Sequence, residues 1–167
     1  MWDAATGTLL ATCQGHPSTV HRAAFSPDGT RLVTASAETV RQWDARTGHP
    51  VELPYDRHTA IVFSAVYSPD GQWIASTGED RTIRVWQARG RQELAVLHGH
   101  RGGVNEVAFA PDGRRLASRS LHEGGIITVW DDTALEIVTK LSHHGAEQTE
   151  TLRAFTRDEA EDIIKKL

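Results

Sequence analysis

Short segments of alternating apolar and polar residues, separated by compact turns, run through residues 1–144. The segments VHRAAF and RLVTAS lie on either side of residues 26–29, and the segment TVRQW follows them. Proline presets the second position of a tight turn and glycine takes the left-handed conformation after it, so Ser-Pro-Asp-Gly predicts a hairpin. The flanking runs, rich in apolar and β-branched residues, predict antiparallel strands. The segment LLATC, after Thr6 and Gly7, predicts an outer fourth strand.

This pattern recurs along the chain at a nearly constant period. The turn aspartates Asp28, Asp70 and Asp112 are 42 residues apart. A tryptophan closes the third predicted strand of every copy, at Trp2, Trp43, Trp86 and Trp130. A histidine follows each tryptophan by 14 or 15 residues, at His16, His58, His100 and His144. A meander of four short strands at such a period predicts the blades of a β-propeller.

These anchors give the chain a close resemblance to the WD-repeat β-propeller family over about residues 1–144. The resemblance rests on the Gly-His pairs at residues 15–16 and 99–100, the three Pro-Asp-Gly turns, and the Trp-Asp pairs at residues 2–3, 43–44 and 130–131. Arg57 and Gln87 depart from the family pattern. The resemblance implies an all-β fold, a partial β-propeller of three four-stranded antiparallel blades. The expected blades are about residues 16–58, 59–100 and 101–144, with 1–15 an orphan outer strand.

The last part of the chain, residues 145–167, predicts a polar linker and a short C-terminal α-helix. Thr156 and Glu159 have the spacing of a capping box. Ala160, Ile163, Ile164 and Leu167 form one apolar stripe at helical spacing. A second interpretation is a degraded fourth repeat that remains a strand, because Asp158 stands 46 residues after Asp112.

Composition narrows the possible functions. The formal net charge of −4 and the pI near 6.1 do not favour sequence-independent nucleic-acid binding, which needs a basic surface. The chain has no apolar run long enough for a membrane span and no signal peptide at its start. The single cysteine, Cys13, forms no internal disulfide and belongs to no metal motif. We therefore expect a cytoplasmic protein that binds neither nucleic acid nor membrane.

The residues His58, Ser76 and Asp80 are those of a Ser-His-Asp hydrolase. The family resemblance implies instead a hydrogen-bonded structural network with Trp86. The same network is implied in the other two blades by His16, Thr34 and Trp43, and by His100, Ser118 and Trp130. Both of these blades lack the aspartate, since Glu38 and His122 stand in its place. We expect them to be less tightly braced, through sequence drift or because a partner binds at the altered turns.

No enzyme motif, cofactor motif or metal motif supports a catalytic function. The pair His143 and His144 with Glu147 matches no zinc spacing. We expect an interaction scaffold for protein partners, and the alternative is a catalytic or small-ligand propeller that uses its histidine-rich top. The top face comprises the loops after each histidine and the turns between second and third strands. Its candidate contact residues are Ser18, Thr19, Thr59, Glu79, Arg81, Arg101, His122 and Glu123.

Three blades do not close a ring, and three alternatives follow. The chain is a fragment of a longer propeller, or it completes a ring with another copy or another propeller chain. In the third alternative it is a partial arc whose end is covered by the C-terminal helix. Uncovered apolar faces of this kind mark an interface.

Overall fold

Three antiparallel sheets follow one another along the chain. The computed structural model describes residues 1–120 and 126–130. The strands of this part are β1 (Val20–Phe25), β2 (Arg31–Ser36), β3 (Thr39–Asp44), β4 (Val62–Tyr67), β5 (Trp73–Gly78), β6 (Ile83–Gln87), β7 (Glu93–Leu97), β8 (Val104–Phe109), β9 (Leu116–Ser120) and β10 (Ile126–Trp130). The sheets have the orders β1-β2-β3, β4-β5-β6-β7 and β10-β9-β8, and we call them the first, middle and third blades. The expected all-β partial propeller is confirmed.

The Pro-Asp-Gly segments form the predicted turns between the first two strands of each blade. In the first blade, the Ser26 hydroxyl donates to Asp28 Oδ1 at 2.5 Å and accepts from the Arg31 amide at 2.9 Å. Gly29 takes a positive φ of 69°, which glycine adopts without steric cost. Hydrogen bonds from Ser26 and Thr30 lower the pKa of Asp28 to about 2. The turn is therefore fixed by its own side chains.

The outer strands are less regular than the sequence predicts. Only the middle blade has a regular fourth strand among the described residues. In the first blade, isolated bridges join Val40 to Tyr55 and Trp43 to Pro50. Prolines at positions 50 and 54 have no amide proton to donate to a sheet, which interrupts the ladder. The N-terminal segment likewise makes one bridge, between Trp2 and Leu9. The expected outer strand of the third blade and the C-terminal helix lie outside the described residues.

The core lies between neighbouring blades. Val33 and Val40 of the first blade pack with Val62 and Ala65 of the middle blade. A second cluster joins the middle and third blades in the same way, with Ala75, Val85, Val107, Phe109 and Leu116 among its members. The three blade tryptophans are fully buried. Each blade therefore depends on its neighbour for most of its apolar burial.

The first blade has one face without a neighbouring blade in the described structure. Phe25, Tyr67 and Phe109 hold the same register position, opposite Leu32, Ile74 and Leu116. Tyr67 and Phe109 are 9% and 8% exposed, because the preceding blade covers them, but Phe25 is 57% exposed. On the same face, the His16 ring lies 4.8 Å from that of Trp43, which is fully buried.

Candidate functional site

The predicted residues of the middle blade meet in one buried network. His58 Nδ1 lies 2.8 Å from Asp80 Oδ2, and His58 Nε2 lies 2.8 Å from Ser76 Oγ. The Trp86 indole donates to the same Ser76 oxygen at 2.8 Å. A carboxylate only accepts, so Nδ1 is the donor, and in the neutral ring Nε2 accepts from the Ser76 hydroxyl. The network joins the second and third strands to the loop before the first.

Asp80 is the charged centre of this network. Burial alone would raise its pKa, but hydrogen bonds from His58 and Thr82 outweigh burial and hold the pKa well below the usual range for a carboxyl. The backbone amide of Thr59 also donates to Oδ2 at 3.1 Å. Arg84 Nε lies 4.0 Å from Asp80 Oδ2, while Arg84 NH1 pairs with Glu93 at 2.5 Å. The carboxylate therefore joins the loop before β4 to the turn and strand that follow β5.

The first blade has the same network without its acid. The Thr34 hydroxyl accepts from the Trp43 indole at 2.7 Å and lies 3.2 Å from His16 Nε2. His16 Nδ1 is buried and has no hydrogen-bond partner in the described structure. The turn between β2 and β3 contains only Ala37 and Glu38, and the Glu38 side chain is exposed. The structure therefore does not bring Glu38 to the position that Asp80 occupies in the middle blade.

The third blade repeats the inner part of the network. His100 Nε2 lies 2.8 Å from Ser118 Oγ, and the Trp130 indole donates to that oxygen at 2.9 Å. The Ser118 hydroxyl also lies 3.5 Å from the Thr128 carbonyl. His122 and Glu123, expected at the turn above, lie outside the described residues.

The candidate contact residues of the top face that the structure describes are all exposed. They are Ser18, Thr19, Thr59, Glu79, Arg81 and Arg101. Backbone bonds hold these loops against their neighbours: the Glu79 amide donates to the Ile61 carbonyl at 2.8 Å. A Cβ at Gly103 would lie 3.3 Å from Glu79 Cα, so the loops of the middle and third blades adjoin. The exposed side chains are thus attached to a backbone that hydrogen bonds and close packing hold in place.

Sequence analysis missed a polar cluster between the first and middle blades. Gln42 is buried, and its amide donates to the Ala88 carbonyl at 2.8 Å and to the Tyr55 hydroxyl. Its carbonyl accepts from the Tyr67 hydroxyl at 2.6 Å. Burial raises the pKa of Tyr55 to about 12, so this hydroxyl keeps its proton. The available signal was a glutamine at a position where the middle blade has Val85.

No cluster of three or more His, Cys, Asp or Glu side chains in the described part of the chain could hold a metal ion. Within the same residues, no helix is long and apolar enough to cross a membrane.

Comparisons with known proteins agree on one family. The family model for the WD domain, G-beta repeat, matches residues 7–44, 50–87 and 91–131. The target of rapamycin complex subunit wat1 of Schizosaccharomyces pombe is 30% identical over 131 residues, which cover 78% of this chain and 41% of the relative. The target of rapamycin complex subunit LST8 of Saccharomyces cerevisiae is 33% identical over 118 residues, which cover 70% of this chain and 39% of the relative.

Two further comparisons extend this result. The serine-threonine kinase receptor-associated protein of Dictyostelium discoideum is 34% identical over 133 residues, covering 78% of this chain and 42% of the relative. The crystal structure of the RRP9 WD40 repeats superposes with a TM-score of 0.66 at 25% identity, and the match covers 72% of this chain and 38% of that structure's chain. The chain thus spans about two fifths of the length of the relatives that it matches. It belongs to the WD domain, G-beta repeat family.

Proposed function

We propose that this chain is a protein-interaction scaffold, that its blades form part of a larger WD-repeat propeller, and that it has no chemistry of its own. The observation that carries this proposal is the contrast at the top face. The hydrogen-bonded residues there are buried or half-buried and bond to one another, whereas the contact candidates beside them are exposed. Such a surface offers side chains for binding on a rigid support.

The exposed face of the first blade supports membership of a larger propeller. The positions equivalent to Phe25 in the other two blades are covered by a preceding blade. The matched relatives include subunits of the target of rapamycin complex, so proteins with this fold do act within protein complexes. By extension we propose that this chain binds protein partners or pairs with a second propeller chain. The cytoplasm stays its predicted location.

The burial of Ser76 argues against the hydrolase alternative. Its side chain has no exposed surface, and its oxygen already interacts with His58 and the Trp86 indole. A nucleophile must reach a substrate carbonyl, and this hydroxyl has no path to one. We propose that the His58, Ser76 and Asp80 network, and its counterparts in the other blades, stabilise the fold.

Purification of tagged chains from the native cells tests the scaffold function. The top-face variant carries Thr59→Arg, Glu79→Arg and Arg81→Glu, all at exposed positions. The control carries Gln72→Glu and Arg89→Glu, which are exposed at the opposite end of the blades. We expect the top-face variant to lose proteins that the wild-type chain and the control both retain. Identical sets of bound proteins for all three chains, at equal melting temperature, would contradict the proposal.

A further inference from the structure

A cavity of about 170 Å³ lies between the first and middle blades, at the end of the blades opposite the top face. Its walls include the buried residues Gln42 and Tyr67 and the half-buried Arg31. The exposed aspartates Asp28 and Asp70 also line it. A single water needs about 10–15 Å³ of cavity space, so this cavity has room for a small molecule.

The interface between the middle and third blades has apolar side chains at three positions that are polar in this cavity. They are Trp73, Val85 and Phe109, at the positions of Arg31, Gln42 and Tyr67. The indole, the valine and the phenyl ring pack in one apolar cluster. At the interface of the first and middle blades, all three side chains are polar and the cavity lies beside them. The site therefore differs from its repeat counterpart in the chemistry of three side chains.

The Arg31 guanidinium offers hydrogen-bond donors to this cavity. A guanidinium carries five N–H groups. One of them donates to Gln42 Oε1 at 3.3 Å, and no other finds an acceptor among the described residues. The Glu52 carboxylate lies 4.0 Å away, which is beyond hydrogen-bond distance. The Arg31 side chain is 28% exposed, so its remaining donors are accessible to a bound carboxylate.

Two aspartates bring negative charge to the mouth of the cavity. A Cβ at Gly71 would lie 3.5 Å from Pro27 Cδ, so the hairpin turns of the first and middle blades touch there. Asp70 Oδ1 accepts two hydrogen bonds within its own turn, whereas Oδ2 accepts none in the described structure. Asp28 has a pKa of about 2 and is ionised at neutral pH. An acceptor for a bound cation therefore stands at the mouth.

The opposite charges around the cavity do not neutralise one another. Arg89 is exposed at the same mouth and adds a second cation. Among the described residues, no ion pair within 4.0 Å joins either aspartate to either arginine. A simple anion would be attracted by the arginines and repelled by the aspartates, and a simple cation would meet the reverse. A molecule with one charge of each sign can satisfy both sets.

We propose that this cavity binds a small zwitterion of the α-amino acid type. Its carboxylate accepts hydrogen bonds from Arg31 inside the cavity, and its ammonium group donates to Asp70 at the mouth. Hydrogen bonds between ionised groups are the stronger kind, which suits a ligand of few atoms. The site goes beyond the scaffold function and lies away from the top-face loops, so failure of either proposal leaves the other standing.

Alanine serves as the probe, with two matched controls that each lack one of its charges. Propionate lacks the ammonium group, and ethylammonium lacks the carboxylate. NMR of the full chain follows the Gly71 amide and the Arg31 Nε–H signals during each titration. Alanine should shift both signals saturably, and each control should bind at least tenfold more weakly. Equal binding of propionate or of ethylammonium, or no saturable shift with alanine, would overturn the proposal.

A pair of exposed aspartates locates the ammonium end of the ligand. Asp70→Asn should weaken alanine binding about tenfold, because a neutral acceptor replaces a charged one. Asp112→Asn makes the same change at the matching turn of the third blade, away from the cavity, and should leave binding unchanged. Equal affinities of the two variants for alanine would contradict the proposal.

A filled cavity provides the second test. The variant Arg31→Trp, Gln42→Val and Tyr67→Phe reproduces the side chains that pack between the middle and third blades. It should keep the melting temperature of the wild-type chain or raise it, and alanine should no longer shift the Gly71 amide. Unchanged alanine binding in this variant would place the ligand elsewhere and overturn the proposal. Because Asp70 is exposed, the aspartate pair decides the question even if the filled variant fails to fold.

Discussion

Differences of one or two side chains decide how firmly each blade is braced at its top. Asp80 joins His58, Thr59 and Thr82 through hydrogen bonds of 2.7 to 3.1 Å. The first blade has a shorter turn and no acid in that position, so its histidine is held through one ring nitrogen only. The contrast between two copies within one chain makes the contribution of the carboxylate measurable.

The first prediction concerns Asp80 and pH. Asp80→Asn should lower the free energy of unfolding by about 1–3 kcal/mol at neutral pH, because the network loses its charged acceptor. The pKa of Asp80 is depressed in the folded chain. Its contribution is therefore complete above the unfolded value of about 4 and is lost as the pH falls below it. Urea unfolding at neutral pH and near pH 3 should show a smaller difference between wild type and variant at the lower pH.

The control for this prediction is Asp56→Asn, which alters a mostly exposed carboxylate. We expect it to change the free energy of unfolding by less than about 0.5 kcal/mol. An effect of Asp80→Asn no larger than that of the control would mean that the network does not stabilise the blade.

The second prediction concerns Ala37, whose φ of 48° lies in the left-handed region. Alanine pays a steric cost there that glycine does not, so Ala37→Gly should stabilise the chain by about 1 kcal/mol. Ala23→Gly, at an exposed position within β1, should instead destabilise it by about 0.5–1 kcal/mol. Thermal unfolding of both variants gives the comparison. A loss of stability in both would show that the turn is not strained.

Strands and turns differ in how far the sequence predicts them. The hairpins around residues 26–29 and the register of the blade tryptophans were predictable, because turn chemistry and period are local signals. The irregular outer strand of the first blade was not predictable from the repeat. Pro50 fits the repeat pattern, but it has no amide proton with which to complete the hydrogen-bond ladder. The network of the first blade was half predictable: the missing aspartate is visible in the sequence, whereas the burial of His16 Nδ1 without a hydrogen-bond partner depends on packing.

The third prediction concerns two copies of the turn that follows a Trp-Asp pair. Gly7 and Gly48 have φ values of 69° and 73° and make the same backbone bond to an aspartate carbonyl. A Cβ at Gly48 would lie 2.6 Å from the Thr12 carbonyl oxygen, but one at Gly7 would meet nothing within 4 Å. Gly48→Ala should therefore cost about 1–3 kcal/mol more than Gly7→Ala, as expected for overpacking.

Equilibrium unfolding of the two glycine variants separates backbone strain from contact with the N-terminal segment. Both variants share the strain, so the difference between them reports only the contact with Thr12. Equal losses would mean that the N-terminal segment does not pack on the first blade in solution.

At the scale of the whole molecule, the described blades form an arc in which the face of the first blade that carries Phe25 is uncovered. The fourth prediction compares Phe25 with Phe109, which holds the same position in the third blade but is covered by the middle blade. Phe109→Ala should cost about 3–5 kcal/mol, whereas Phe25→Ala should cost less than about 1 kcal/mol. Phe25→Ala should also reduce self-association of the isolated chain in sedimentation experiments. A large stability loss at Phe25 with unchanged association would show that this face is covered within the chain itself.

Tandem repeats can misassemble as they fold, because the blades are similar enough for one blade to pack against the wrong neighbour. Gln42 makes the interface between the first and middle blades chemically different from the interface between the middle and third blades. Tyr67 offers a hydroxyl to this buried amide, whereas Phe109, at the same position of the third blade, offers none. Docking the third blade in place of the middle one would remove the Tyr67 hydrogen bond and leave the amide carbonyl with only the 3.3 Å bond from Arg31, at a cost of about 0.5–1.5 kcal/mol. The polar cluster thereby favours packing of the first blade against the middle blade, which is its neighbour in the sequence.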